Sequence, residues 1–210
     1  MLIGLGPSRS FPAPHAALDR ARENAEIALL IGADAGHGLR QLGAREHFAA
    51  VLVELGSECL GVHADDGTNV VGFARFRVGD DPPSDLVELV AQAATPEPTL
   101  AAAQSFFAGA GFEVALCADR GGRILDRLVR PYFNAALQKL DSGLATAADL
   151  DLTVRLGLGY PTGPIALLER SGLAQHFAVS AALHAALGER GFVPARRARV
   201  AFERVRAKET

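Results

Sequence analysis

Cysteine is scarce in this 210-residue chain: Cys59 and Cys117 are the only two. Two thiols in apolar, strand-like surroundings exclude a disulfide framework and read as small buried hydrophobes. Long hydrophobic runs are absent too, although apolar residues make up 49% of the chain. The longest runs are strand-sized, well short of the roughly 20 residues a spanning helix requires, so no membrane partner is expected. The opening Met1-Leu2-Ile3-Gly4-Leu5-Gly6-Pro7 has no basic flank and no extended apolar region, which predicts no signal peptide. A cytoplasmic protein is the expectation. Metal-ligand spacing is missing as well. His176 and His184 could share a helix face, but no third ligand is spaced to join them, so no metal is expected. Arg196, Arg197, Arg199, Arg204, Arg206 and Lys208 make a basic tail without stacking aromatics or a recognisable motif. It reads as a solvated helix face, and nucleic acid is not an expected partner. Ser57 and Ser105 lie outside any Gly-x-Ser-x-Gly elbow of a hydrolase.

What is present divides the chain in two. Acidic side chains are in excess over residues 1–120 and basic ones over residues 121–210, within a net charge of −3. Short apolar runs at Met1–Leu5, Ile27–Ile31, Ala50–Val53, Cys59–Val62, Val70–Phe76 and Val114–Cys117 have the size of buried strands. Helix-like stretches separate them at His15–Ala25, Gly38–His47, Asp85–Ala93 and Pro98–Ala108. Strands alternating with helices predict a parallel α/β sheet. From Gly122 the pattern is helical only. Ile124, Leu125, Leu128, Val129, Tyr132, Phe133, Ala136, Leu137 and Leu140 recur at three- and four-residue spacing. Thr146 caps the next helix with Asp149 three residues on. Pro161 and Pro164 force a turn before a helix near Ile165–Leu168, and His176–Leu187 and Arg196–Arg206 are further helices. The expected domains are residues 1–119, α/β, and 120–210, all-α.

Three stretches carry a resemblance: Gly121-Gly122-Arg123-Ile124-Leu125-Asp126-Arg127-Leu128-Val129-Arg130-Pro131-Tyr132-Phe133-Asn134, then Ala145-Thr146-Ala147-Ala148-Asp149-Leu150-Asp151, then Leu156-Gly157-Leu158-Gly159-Tyr160-Pro161-Thr162-Gly163-Pro164. Together they resemble the start of the C-terminal helical domain of 3-hydroxyacyl-CoA dehydrogenases, which move a hydride between NAD and the 3-hydroxyl of an acyl-CoA. The resemblance implies a shortened Rossmann-like sheet followed by that helical domain, an acyl-CoA ligand, NAD as cofactor, and a homodimer formed through the helical domain. The apolar stripe from Ile124 to Leu140, with Tyr132 and Phe133, is the face expected to pair.

The same resemblance shows where the chain departs from the family. The family segment Gly-Leu-His-Phe-Phe-Asn-Pro, followed by a helix beginning Lys-Leu-Val-Glu, matches Gly72-Phe73-Ala74-Arg75-Phe76-Arg77-Val78 and Asp85-Leu86-Val87-Glu88. Glu88 takes the place of the glutamate that orients the family's acid/base histidine, but that histidine is Ala74 here. Alanine transfers no proton, and its neighbour Arg75 is a poor base because it stays protonated. In Pro-Gly-Phe-Ile-x-Asn-Arg the family asparagine polarises the substrate carbonyl; its place holds Asp126, which as a carboxylate has no donor for an oxyanion. The family serine has no clear counterpart, and the register points to His63-Ala64-Asp65-Asp66. Glu88, Asp126 and His63 are therefore the candidate catalytic residues.

The candidate cofactor turn is Gly32-Ala33-Asp34-Ala35-Gly36-His37-Gly38 after the Ile27–Ile31 strand, with Gly32, Gly36 and Gly38 as its glycines. Its spacing departs from G-x-G-x-x-G, and Asp34 would face a pyrophosphate with a negative charge. Tight NAD binding is not expected. The functional expectation is a dehydrogenase homologue with degenerate NAD and catalytic sites, related to acyl-CoA. The alternative is an active NAD-dependent 3-hydroxyacyl-CoA (3-hydroxybutyryl-CoA) dehydrogenase with an unorthodox site.

Overall fold

A computed structural model describes residues 1–23, 26–79 and 81–209. They fold as two compact units: Met1–Arg77 with Asp81–Ile124, and Leu125–Thr210 with the short Val78–Asp80 segment.

The first unit is a six-stranded sheet whose spatial order follows the chain: β1 (Leu2–Gly4), β2 (Ile27–Ile31), β3 (Ala50–Glu54), β4 (Val70–Arg75), β5 (Leu86–Ala91) and β6 (Glu113–Ala118). The middle strands are apolar almost throughout because both faces are covered. Alternate residues feed two cores. Ile27, Leu29, Leu52, Val71, Phe73 and Leu89 point to one face, packed under Phe106 and Phe107 of α3 (Glu97–Ala108) and Ala17 and Ala21 of α1 (Ala16–Glu23). Ala28, Leu30, Val51 and Val53 point to the other, against Ala35 and Leu39 of α2 (Ala35–Gln41). Asn24 and Ala25, the end of the expected first helix, lie outside the described residues.

Three local expectations are corrected. Asp85–Ala93 is not a helix: its core is β5, antiparallel to β4 and parallel to β6. The segment linking β4 to β5 is too short for a crossover of a dozen or more residues, and Val87, Leu89 and Val90 suit a strand buried on both faces. The sheet is therefore mostly, not wholly, parallel. Cys59–Val62 is not a strand. Leu60–Val62 form a 3₁₀ turn because the Asp119 carboxylate takes the N–H groups of Leu60 (2.6 Å) and Gly61 (2.8 Å), which a neighbouring strand would otherwise need. The Gly38–His47 helix begins earlier and stops at Gln41, since Ala44 turns left-handed at φ 51° before a short 3₁₀ turn at Arg45–His47.

The second unit is all-helical: α4 (Leu125–Asp141), α5 (Ala147–Leu158), α6 (Pro164–Ser171), α7 (Leu173–Leu187) and α8 (Arg196–Glu209). Its core gathers Phe133, Leu137, Ile165, Leu168, Ala195 and Ala198. Thr146 caps α5 as expected, its Oγ1 accepting the Asp149 N–H at 3.2 Å. Asp151 of α5 accepts the N–H groups of Ile165 (2.8 Å) and Ala166 (2.9 Å) at the start of α6. That contact explains Gly163, where a Cβ would come within 2.3 Å of the Asp151 side chain. Among the described residues no helix is long and apolar enough to cross a membrane.

Candidate active site

Glu88 sits in the middle of β5, directly opposite Ala74 of β4. Directly opposed residues of an antiparallel pair share one sheet face, so Ala74, expected at the family's histidine position, abuts the glutamate but carries only a methyl group. Glu88 is 3% exposed. Its Oε1 accepts the Ile124 N–H at 2.9 Å, and its Oε2 lies 3.5 Å from Arg123 Nε. Arg123 is 7% exposed and adopts a left-handed φ of 50°, an unusual backbone state for a side-chain-bearing residue. Gly122, at φ 76°, prepares this turn and donates its N–H to Ser57 O at 3.0 Å. The turn delivers the guanidinium to Glu88 and to Gly56 O, which accepts from Nη1 at 2.5 Å.

His63 lies just after the 3₁₀ turn rather than at a strand's end. Its Nε2 is 3.3 Å from Glu58 Oε1, and its Nδ1 is buried without a hydrogen-bond partner. Glu58 also accepts the Gly56 N–H at 3.0 Å. Burial alone would raise the Glu58 carboxyl, but the backbone donors and His63 outweigh it and hold the group below its usual value. Glu88 and His63 are thus joined indirectly, through Arg123, Gly56 and Glu58.

The three glycines of the candidate cofactor turn face the chain's own atoms. A Cβ on Gly32, whose φ is 108°, would meet Leu5 O at 2.2 Å. One on Gly36 would meet the His63 ring, and one on Gly38 the Leu5 side chain. Each absent side chain is used for internal packing. A cleft of 430 Å³ beside this turn is lined by Arg9, Asp34, His37, Arg40, Glu54 and Glu58, among others. It lies at the carboxyl ends of β1, β2 and β3, where α/β sheets commonly receive ligands. A dinucleotide fold, however, binds where the strand order reverses; among the described residues the order of this sheet does not reverse and β1 is an edge.

Asp126 belongs to the helical unit. Its Oδ1 accepts from Arg130 Nε at 2.8 Å, an i,i+4 ion pair on α4. Arg130 Nη1 lies 3.3 Å from His176 Nδ1, and His176 Nε2 lies 2.8 Å from Asn134 Oδ1. Asn134 in turn donates to Gly191 O at 3.0 Å. Burial, and then the Arg130 charge, lower the pKa of His176 to about 3. Burial raises that of Cys117 to about 11, leaving it an inert thiol. Among the described residues no group of three or more metal-type side chains comes together.

Sequence reasoning missed Arg123, Glu54 and the Arg130–His176–Asn134 network. The available signal was a lone charge closing an apolar run, Glu54 at the end of Ala50–Glu54; Arg130 lies outside the α4 stripe and gave no such signal.

The chain is a mostly parallel α/β sheet followed by an all-helical unit. Residues 122–210 match the family described as 3-hydroxyacyl-CoA dehydrogenase, C-terminal domain, so the helical part of the chain is similar to that domain. A 3-hydroxybutyryl-CoA dehydrogenase of Mycobacterium tuberculosis is 37% identical over 89 residues, covering 42% of this chain and 31% of that protein. The mitochondrial hydroxyacyl-coenzyme A dehydrogenase of Sus scrofa is 38% identical over 88 residues, covering 42% and 28%. The matched segment thus spans about a third of the length of these curated relatives. The crystal structure of M. tuberculosis FadB2 superposes with a TM-score of 0.71 at 21% identity, over 90% of this chain and 68% of that one, a likeness of fold.

Proposed function

We propose that this chain is a non-catalytic or weakly active member of the 3-hydroxyacyl-CoA dehydrogenase family, one that keeps the helical domain and an acyl-CoA-related role without the family's hydride chemistry. The observation that carries this reading is the Glu88 pairing: its sheet partner is Ala74 and its cation is Arg123. A histidine dyad moves a proton because imidazole titrates near neutrality; a carboxylate held by a guanidinium does not. Asp126 points the same way, since its carboxylate is bound to Arg130 and offers no donor to an oxyanion. The residues present also do not fit NAD. The turn glycines are used internally, and among the described residues β1 is an edge strand of the sheet.

The test is turnover of acetoacetyl-CoA with NADH. Losing a general acid costs about 10²–10⁴-fold and losing an oxyanion donor about 10²–10³-fold, so the rate is expected to be at or near background. Replacing Ala74 by His and Asp126 by Asn together is not expected to restore it. The competing reading, an active dehydrogenase with an unorthodox site, has one observation in its favour: the His63–Glu58 pair in the cleft wall. A wild-type rate near about 10 s⁻¹, the ordinary enzyme median, abolished by His63→Ala, would establish that reading and remove ours.

The proposal includes a cytoplasmic homodimer paired through the helical unit. The expected face changes, because Phe133 and Leu137 are buried in that unit's own core. Leu128 of α4 stays exposed, but a face with no buried residue is found on α5, where Leu152 and Leu156 are exposed one turn apart. Light scattering over a dilution series should give a dimer mass, and Leu156→Glu should shift it to the monomer. A monomer at all concentrations, or a dimer indifferent to that substitution, would contradict this pairing.

A further inference from the structure

Glu54 closes β3 and is 8% exposed. Its Oε1 accepts the Ser10 N–H at 2.7 Å and its Oε2 accepts the Gly32 N–H at 2.7 Å. These two amides come from different loops, one after β1 and one after β2, and converge at the carboxyl ends of parallel strands. The β1 loop is itself a strap across those ends. Leu5 N–H donates to Ile31 O at 2.8 Å and Ala33 N–H to Pro7 O at 3.1 Å, both at the end of β2. Ser10 then reaches Glu54 at the end of β3. At the end of β4, Arg75 donates Nη1 to Ser10 O at 2.7 Å and its own N–H to Ser10 Oγ at 3.3 Å.

Convergent backbone amides at this edge of an α/β sheet are a cradle for anions. Here they hold the chain's own carboxylate, in a charge-assisted arrangement that a neutral group could not match. We propose that Glu54 decides what the adjoining cleft admits. Its carboxylate fills, as a built-in anion, the amide pair that a ligand's phosphate or carboxylate would need. The cleft therefore rejects anionic ligands, and removing this one charge converts it into an anion site. The inference rests on the reading that no dinucleotide is held there, and supplies a cause for it.

The probe is inorganic pyrophosphate, titrated into the full chain at constant ionic strength and followed by calorimetry and thermal unfolding. Wild type should show no saturable binding and no shift in midpoint beyond that of chloride. Glu54→Ala should unfold at a lower temperature, recover with pyrophosphate but not with chloride, and bind pyrophosphate at least about tenfold more tightly than wild type. Glu54→Gln, which keeps one acceptor and most of the shape, should fold and show a smaller gain. If Glu54→Ala folds only when refolded with pyrophosphate, the proposal is supported; refolding no better than in chloride overturns it. Equal affinity in all three proteins also overturns it. Dehydrogenase turnover by wild type would instead sink the functional reading, independently of the pyrophosphate result.

Discussion

Arg123→Met is expected to destabilise the α/β unit by about 3–5 kcal/mol, the range found when one partner of a buried ion pair is removed. The guanidinium lies against a carboxylate that is 4% exposed. Methionine fills similar volume but leaves Glu88 with less to offset its lost hydration, and it also removes the bond to Gly56 O. Because methionine keeps a side chain at the same left-handed position, backbone strain is nearly unchanged, so the loss reports the charge. Glu88→Gln should cost less alone, and the double substitution less than the two added together, since each single change strands the other's partner. Hydrogen exchange of the β4 and β5 amides measures it in the relevant unit. A loss below about 0.5 kcal/mol for Arg123→Met, the level of an ordinary surface substitution, would mean that the contact is incidental.

Acidification should weaken the helical unit by about 2 kcal/mol between pH 7 and pH 5, through His176 alone. The residue is fully buried. Arg130 Nη1 faces its Nδ1, Asn134 Oδ1 its Nε2, and the Phe133 ring its edge. Arg130 can only donate, so Nδ1 must accept and the proton sits on Nε2, facing Asn134. Protonating Nδ1 would set two donors against each other. The folded-state pKa is therefore lowered to about 3, while the unfolded chain takes up a proton near about 6.5. Stability from this group is fully present above the unfolded value and falls as pH drops from there towards 3. His176→Gln can accept from Arg130 and donate to Asn134 without titrating, so its stability should change much less over the same range. Tyrosine fluorescence isolates the effect: the chain has no tryptophan and two tyrosines, Tyr132 and Tyr160, both in the helical unit. Denaturant midpoints equal at pH 7 and pH 5 would contradict the buried, neutral histidine.

The parts of the fold legible in the sequence are those where one physical signal acts alone. Ile27–Ile31 and Ala50–Glu54 are continuous apolar runs bounded by turns, and α4 carries a stripe at helical spacing. Asp85–Ala93 misled because a short apolar run with one glutamate suits a helix and a strand equally; what decides is the lack of chain for a crossover, a property of the connection. Leu60–Val62 misled because a remote carboxylate, Asp119, dictates its backbone hydrogen bonding. The candidate site divides the same way. That Ala74 brings no imidazole to its place in the motif was readable from the sequence. The gain of Arg123 as the cation of Glu88 was not, since it depends on a left-handed turn after β6 folding back on β5. Glu54 was invisible for a similar reason: its partners, Ser10 and Gly32, lie on two other loops and contribute backbone only.

Whether the cleft at the ends of β1 to β3 holds a dinucleotide decides the account more directly than any rate. NADH should be titrated calorimetrically into the wild-type chain at low salt, where an anionic ligand has its best chance. We predict no saturable binding tighter than about 1 mM, or about −4 kcal/mol. A dissociation constant in the low micromolar range would contradict it, and would mean that the Gly32–Gly38 turn opens to a pyrophosphate and that the proposed loss of cofactor chemistry is wrong.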